Sequence, residues 1–381
     1  MTNKSSSDNQ LPAASKGKIH QEIIRVFLRL GVFAFGGPAA HIAMMEDEIV
    51  NRRKWVNKEK FVDMLGLTNL IPGPNSTEMA IMLGYAHGGK LGLLLAGVSF
   101  ILPAMLIVLL FAVLYQKFGS VPSVGHMLDG IKPVVIAIVA QAVYRLGKTV
   151  LKNADAAIIA AAAFTAYMLG VKEIPLLLAA AALMLVIRLL RRPDKPTPKP
   201  RLHAFEPLSL GMLFLVFLKI GAVLYGSGYV LIAFLRTEFV ERFGVLTSQQ
   251  LIDAVAVGQF TPGPVFTTAT FVGYVIHGFP GAIVSTVGIF LPSFLLVLIL
   301  NPLLERLRAS KTLSHILDGL NAGSVALMAA VTVQLGREAL VSVPAVIIAI
   351  VSAFLLIRYK VNSTWLILGG GLIGLLLPLW R

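Results

Sequence analysis

The sequence contains no cysteine and few charged residues. The absence of cysteine excludes disulfides, thiolate metal sites, iron–sulfur clusters and cysteine nucleophiles. Asp, Glu, Lys and Arg make up 14% of the 381 residues, against about 25% in an ordinary soluble domain. The chain also lacks a His-Glu-x-x-His motif, a Gly-x-Ser-x-Gly motif, aspartates with metal spacing and a Gly-x-x-x-x-Gly-Lys-Ser/Thr phosphate loop. These absences argue against an enzyme, a resident metal or cofactor, and an ATP-driven pump.

Hydrophobic residues make up 56% of the chain and come in long runs instead of one-sided helical stripes. Runs of this kind match a hydrocarbon core about 30 Å thick, which about 20 helical residues cross. The clearest runs are residues 91–113, 156–169, 174–190, 214–235, 282–300, 341–357 and 365–380. The sequence therefore predicts an all-α polytopic membrane protein with about 10 to 12 membrane segments.

The net charge of +14 fits the same interpretation. Basic residues are concentrated between the apolar runs, at 52–60, 145–152, 188–201 and 306–311. The positive-inside rule places such segments in the cytoplasm, so topology explains the excess better than nucleic-acid binding does. Residues 1–20 are polar and lack the apolar core of a cleavable signal peptide, which favours a cytoplasmic tail. The expected surroundings are membrane lipid, with no nucleic-acid partner.

An internal repeat covers most of the chain. A first Pro-Gly-Pro (residues 72–74) matches a second one (residues 262–264) at an offset of 190, which becomes 189 after one deletion. Other matched positions are 27–31 with 217–221, Glu48 with Glu238, Gly84-Tyr85 with Gly273-Tyr274, and Leu102-Pro103 with Leu291-Pro292. A shared register of this length predicts two homologous repeats, residues 21–190 and 205–381. A basic, proline-rich linker, residues 191–204, separates them.

Helix-breaking residues recur at the front of each repeat. Residues 35–38 and the first Pro-Gly-Pro interrupt two segments of the first repeat, and residues 225–228 and the second Pro-Gly-Pro interrupt their counterparts. Proline removes a backbone donor, and glycine adopts conformations that other residues avoid. Such residues sometimes only kink a membrane helix, but their recurrence in both repeats favours broken or re-entrant helices. We expect Pro38, Pro74 and Pro264 to open half-helices.

Half-helix N-termini predict an anion site, because their free N–H groups and positive dipole ends attract negative charge. Hydroxyl and amide side chains lie beside the breaks, in roles that allow both helix capping and binding. The predicted substrate-binding residues are Arg29, Gly36, Gly37, Pro38, Asn69, Pro72, Gly73, Pro74, Asn75, Ser76, Thr77, Lys219, Gly226, Ser227, Gly228, Pro262, Gly263, Pro264, Thr267 and Thr268.

Charged residues within the apolar segments are the other candidates. Arg29 and Lys219 occupy matched positions, where they either suit a dianion or snorkel to the interface. Glu78 is matched by Thr268 and is our first candidate for a group that takes up a proton during transport. Asp63 and Asp253 are matched coupling candidates as well, although a structural role is open to them: helix N-terminal charges, or ion-pair partners of Arg29 and Lys219.

Several of these motifs together closely resemble the chromate ion transporters. They are Phe35-Gly36-Gly37-Pro38, Asn69-Leu70-Ile71-Pro72-Gly73-Pro74, Gly84-Tyr85 and residues 100–103 in the first repeat, and Gly226-Ser227-Gly228 and residues 259–264 in the second. The resemblance covers residues 20–380 and is to the two-domain members. It implies a multi-pass protein of the bacterial inner membrane that exports chromate and confers chromate resistance. Sulfate, another tetrahedral dianion, is the expected competitor or alternative cargo.

The predicted mechanism is alternating access in a secondary transporter driven by membrane potential or ion exchange. Transport of sulfate or another oxyanion, and an anion channel, are the alternatives; a purely structural scaffold would not need matched breaks. The oligomeric state is open, a homodimer included. So is the orientation of the repeats: if all broken segments enter from the cytoplasm, the repeats are parallel, whereas transporter repeats are often inverted.

Overall fold

The computed structural model describes residues 13–34, 38–68, 71–119, 121–190, 208–225, 230–300, 311–359 and 361–376. Within these ranges the chain forms fourteen α-helices and no strand, which confirms the predicted all-α class. The first repeat contributes α1 (Ala13–Phe33), α2 (Pro38–Met45), α3 (Lys58–Thr68), α4 (Asn75–Phe118), α5 (Pro122–Val150), α6 (Ala154–Met168) and α7 (Glu173–Leu190). The second contributes α8 (Leu210–Val223), α9 (Leu231–Leu235), α10 (Ser248–Phe260), α11 (Thr268–Leu300), α12 (Lys311–Ala339), α13 (Val343–Phe354) and α14 (Ser363–Leu376). Turns of π-helix extend α2 to Arg52, α9 to Arg242 and α13 to Tyr359.

The helices break where the sequence predicts. Pro38 is the first residue of α2, and α4 begins directly after the first Pro-Gly-Pro. Pro74 itself is extended (φ −82°, ψ 100°) and precedes the first helical residue. Pro264 is also extended (φ −71°, ψ 128°), before a short 3-10 turn that leads into α11. Both prolines therefore stand at the N-cap, one position earlier than expected.

The long helices α4 and α11 are hairpins, which the sequence analysis did not predict. Gly89 (φ 63°) and Gly278 (φ 61°) leave the helical conformation in the left-handed region, where glycine is favoured. The two limbs touch close to each turn: a Cβ on Gly84 would lie 2.4 Å from the Gly92 carbonyl oxygen. We call the limbs α4a (75–87), α4b (90–118), α11a (268–276) and α11b (279–300).

The broken segments of the first repeat are re-entrant hairpins. Arg53, which follows α2, pairs with Glu22 on α1, so both ends of the α1–α2 pair lie at the same face. Trp55 stacks on His87 at the end of α4a, with ring centroids 3.9 Å apart, so the α3–α4a pair returns there too. The breaks are consequently the deep ends of the two hairpins, as the predicted fold class requires.

The two repeats are inverted relative to each other. The limb α4b starts at the base of the first repeat's hairpins and runs about 40 Å, at 1.5 Å per residue. At its far end the Tyr115 hydroxyl donates to Asp253 Oδ2 (2.9 Å), and Gln116 Nε2 donates to the Val275 carbonyl (3.2 Å). Asp253 and Val275 belong to the base of the second repeat's hairpins. The hairpins of the two repeats therefore enter from opposite faces, which corrects the parallel arrangement considered from the charge pattern.

Four of the described helices are able to cross a membrane. Judged by length and composition, α4, α5, α11 and α12 are long and apolar enough to span it. The apolar runs at the end of each repeat form α6, α7, α13 and α14. Large apolar side chains such as Leu106, Leu110 and Ile350 are more than half exposed, as expected of a surface that faces lipid.

Candidate functional site

The four helix breaks meet in two pairs, each made from both repeats. The Gly73 N–H donates to the Leu224 carbonyl at the end of α8 (2.9 Å). The Gly263 N–H donates to the Ala34 carbonyl at the end of α1 (3.0 Å). Each Pro-Gly-Pro thus closes on the break of the opposite repeat. We call the contact of Gly73 with Leu224 junction A, and the contact of Gly263 with Ala34 junction B.

Both junctions require glycine for two reasons. Gly73 has φ 136° and Gly263 has φ 86°, in a region that side chains disfavour. Space is also missing: a Cβ on Gly73 would lie 2.4 Å from Glu78 Oε1 and from Ser293 Oγ. A Cβ on Gly263 would lie 2.8 Å from Ala104 Cβ. The tight approach brings the peptide of each glycine against a helix of the other repeat.

Junction A contains a buried carboxyl group. Glu78, in the first turn of α4a, is fully buried, and its Oε1 accepts a hydrogen bond from Ser293 Oγ on α11b (3.4 Å). Its Oε2 and the buried Thr77 hydroxyl have no hydrogen-bond partner in the described part of the chain. Tyr225, at the end of α8, lies near enough to interact electrostatically with Glu78. This carboxyl group therefore lies between the two repeats, directly beneath Gly73.

Junction B has the same backbone but different side chains. Thr268 replaces Glu78 and donates to the Val265 carbonyl (2.8 Å), while Ala104 replaces Ser293. The Ala34 carbonyl that receives Gly263 also lies 3.0 Å from Nε2 of the buried His41. Ser293 and His41 were not among the predicted site residues. The signal for both is a mismatch, with Ala104 and Leu231, at positions that the repeat otherwise aligns.

Other predicted polar residues lie next to these junctions. Ser76 and Thr77 are buried in the first turn of α4a, and Asn75 is half-buried there. Thr267 is buried and donates to the Pro264 carbonyl (2.8 Å). The prolines of both Pro-Gly-Pro segments are buried, and Pro38 is half-buried. The predicted site residues Gly36, Gly37, Asn69, Gly226, Ser227 and Gly228 lie outside the described residues.

The two predicted cations differ in their surroundings. Lys219 Nζ pairs with Glu238 Oε1, and Arg242 approaches the other oxygen of the same carboxylate (2.9 Å). Arg29 is exposed and lines a cavity of about 400 Å³ together with Asp47, Glu48 and Arg52, among others. The structure therefore places Arg29 in a partly open cavity with a mixed apolar and charged lining, and Lys219 in an ion-pair network.

The aspartate of the second repeat, Asp253, links the two repeats. Asp253 accepts hydrogen bonds from Tyr115 and from Gln249 Nε2 (3.2 Å), so it links the repeats instead of pairing with Lys219 as one alternative predicted. Asp63 is half-buried in the middle of α3. Among the residues that the structure describes, no group of three or more His, Asp or Glu side chains could hold a metal ion.

Comparison with known proteins assigns the chain to a family. The family model described as "Chromate transporter" matches residues 21–186 and 211–375. The chain is 31% identical to a "Probable chromate transport protein" of Synechococcus elongatus, covering 87% of this chain and 88% of the relative. It is 30% identical to a "Chromate transport protein" of Cupriavidus metallidurans (93% and 92% covered) and 32% identical to one of Pseudomonas aeruginosa (93% and 92%). No solved structure shows significant similarity. The chain is a membrane protein that belongs to the chromate transporter family.

Proposed function

We propose that this protein is a secondary transporter that exports chromate from the cytoplasm across the bacterial inner membrane and so confers resistance to it. The family and the names of the three relatives support chromate as the substrate. The basic segments 52–60, 145–152 and 188–201 favour a cytoplasmic position for the base of the first repeat's hairpins.

The observation that carries the mechanism is the crossed pairing of the breaks. At both junctions a glycine N–H, beside the N-terminus of a half-helix, donates to a carbonyl of the other repeat. An oxyanion is a stronger acceptor than a carbonyl, so it can replace that carbonyl when a junction opens. Because the repeats are inverted, the junctions can open in turn, as alternating access requires. Ser76, Thr77 and Asn75 would then contact the anion at junction A, and Thr267 and Thr268 at junction B.

The membrane potential supplies the direction. Moving two negative charges out of a negative interior is favourable by about 4.6 kcal/mol per 100 mV. Arg29, which is exposed in its cavity, would attract the dianion from solution. Lys219, the matching cation of the second repeat, is paired with Glu238 and takes a structural role in this proposal. Export therefore needs no nucleotide.

Inverted membrane vesicles that contain the full chain test this proposal. We expect saturable uptake of labelled chromate, increased when the vesicle interior is made positive, and inhibited by sulfate. Vesicles without the protein are the control. Uptake that rises linearly with concentration would indicate a channel, and a lower KM for sulfate would indicate the alternative oxyanion. Absence of chromate uptake would contradict the proposal.

A further inference from the structure

Glu78 is an acidic group in a place where the proposed substrate brings more negative charge. It is fully buried, it faces Gly73 across a distance too short for a Cβ, and one of its oxygens has no hydrogen-bond partner in the described part of the chain. The Ser293 hydroxyl of α11b donates a hydrogen bond to it. Tyr225, at the end of α8, lies near enough to interact with it electrostatically. Within the described ranges, no lysine, arginine or histidine forms an ion pair with it.

A dianion and an ionised carboxylate cannot share such a site cheaply. Two like charges a few ångströms apart and away from water repel strongly, and a buried charge without a partner is costly. A proton on Glu78 removes the repulsion and turns the carboxyl group into a hydrogen-bond donor toward the oxyanion. By linkage, anion binding then favours proton binding by the same factor in both directions.

We propose that Glu78 binds one proton together with the anion at junction A, so that each chromate is accompanied by one proton travelling in the same direction. This inference rests on the proposed anion site at the Pro-Gly-Pro segments. Ser293 is a positioning residue that holds the carboxyl group by its Oε1. Oε2 is the oxygen left for the proton and for the anion.

Junction A carries a carboxyl group and junction B has none at the matching position, so this inference assigns one proton to each anion. Thr268 stands where Glu78 stands in the first repeat, and a threonine hydroxyl does not titrate in this range. His41 belongs to junction B, where its Nε2 is directed at the Ala34 carbonyl. The translocated species is therefore a dianion plus one proton, with one net negative charge instead of two.

Equilibrium accumulation in liposomes measures that charge directly. The purified full chain is reconstituted, a potential is clamped with valinomycin and potassium gradients, and labelled chromate is followed at about pH 8 to 9, where chromate is a dianion. With one net charge, a positive interior of about 60 mV concentrates chromate about tenfold; with two, about a hundredfold. A gradient of one pH unit at zero potential should concentrate chromate about tenfold on the alkaline side.

Variants assign the proton to Glu78. Glu78→Gln resembles the protonated acid, so we expect it to carry chromate without a proton: about hundredfold accumulation at 60 mV and none in response to the pH gradient. Ser293→Ala should keep the wild-type ratios but extend exchange to higher pH, because a donor that favours the ionised carboxylate is lost. Ser285→Ala is the control and should match the wild type. It removes a buried hydroxyl of the same helix, which donates to the Gly281 carbonyl.

Three results would overturn the inference, and each is distinct from failure of the proposed function. The first is a wild-type ratio of about a hundredfold at 60 mV with no response to pH. The second is a glutamine variant that keeps the wild-type ratios, because the proton would then be on the substrate. The third is a glutamine variant that elutes like the wild type in detergent but cannot exchange chromate for chromate. If the wild type accumulates no chromate at all, the proposed function itself is wrong.

Discussion

Junctions A and B have the same backbone and different side chains. In both, a glycine with positive φ donates its N–H to the carbonyl that ends the first helix of the other repeat. Junction A adds Glu78 and Ser293, where junction B has Thr268 and Ala104. Glycine and proline set the backbone geometry that the two junctions share. The side chains that differ between the junctions do not alter this geometry. Duplication has therefore kept the backbone of the junction in both copies, while the side chains at the two junctions diverged.

The inverted pairing of the repeats is the basis of this comparison, and cysteine cross-linking gives an all-or-none test of it. The chain has no cysteine, so introduced pairs have no background. We expect Gln116→Cys with Val275→Cys to cross-link within one chain, because the Gln116 side chain donates to the Val275 carbonyl. Lys90→Cys with Val275→Cys is the control, since Lys90 lies at the other end of α4b. Cross-linking of the control pair alone would indicate parallel repeats.

Replacing the junction glycines should have the next largest effect. Gly73→Ala and Gly263→Ala each add backbone strain of about 1–3 kcal/mol and a steric overlap, so we expect loss of transport and a lower unfolding temperature. Gly89→Ala and Gly278→Ala also place alanine at positive φ, but nothing lies within 4 Å of the added carbon. Thermal unfolding in detergent should rank the junction variants below these controls. Equal losses would show that backbone strain alone matters.

The matched cations should separate into a binding and a structural role. Arg29→Gln should raise the KM for chromate about three- to tenfold, with an effect that weakens at high salt, because an exposed cation acts by long-range attraction. Lys219→Gln should cost stability of about 1 kcal/mol, because Glu238 keeps only Arg242. Initial rates and unfolding temperatures, measured on the same preparations, check both. A larger KM change for Lys219→Gln would reverse the assignment.

The smallest expected effect concerns the bases of the hairpins. His87, at the face of the first repeat, is replaced by Ile276 in the second. Its ring stacks on Trp55 and lies near Glu22. His87→Ala should lower the unfolding temperature in detergent slightly, because the stacked ring contact is lost. An unchanged unfolding temperature would contradict this.

The sequence contained the parts of the site but not their arrangement. The positions of the breaks follow from Pro38 and the two Pro-Gly-Pro segments, because proline and glycine act through local backbone geometry. The partners of those breaks do not follow, since Leu224 and Ala34 contribute only carbonyl oxygens, which every residue carries. The turn at Gly89 was not predicted, although Gly88 and Gly89 lie between His87 and Lys90, just before the apolar run 91–113. Lys219 was expected near the anion, and only tertiary packing shows it beside Glu238.

The crossed hydrogen bonds also bear on the independence of the repeats. Alone in a membrane, the first repeat would carry a Gly73 N–H without its acceptor, and its Ala34 carbonyl would lose the bond from Gly263; hydrocarbon replaces neither. The second repeat alone would carry a Gly263 N–H without its acceptor and a Leu224 carbonyl without the bond from Gly73. We therefore expect each half to depend on the other for stable folding. A chain cut between residues 191 and 204 should accordingly yield two fragments that are inserted stably only when they are made together.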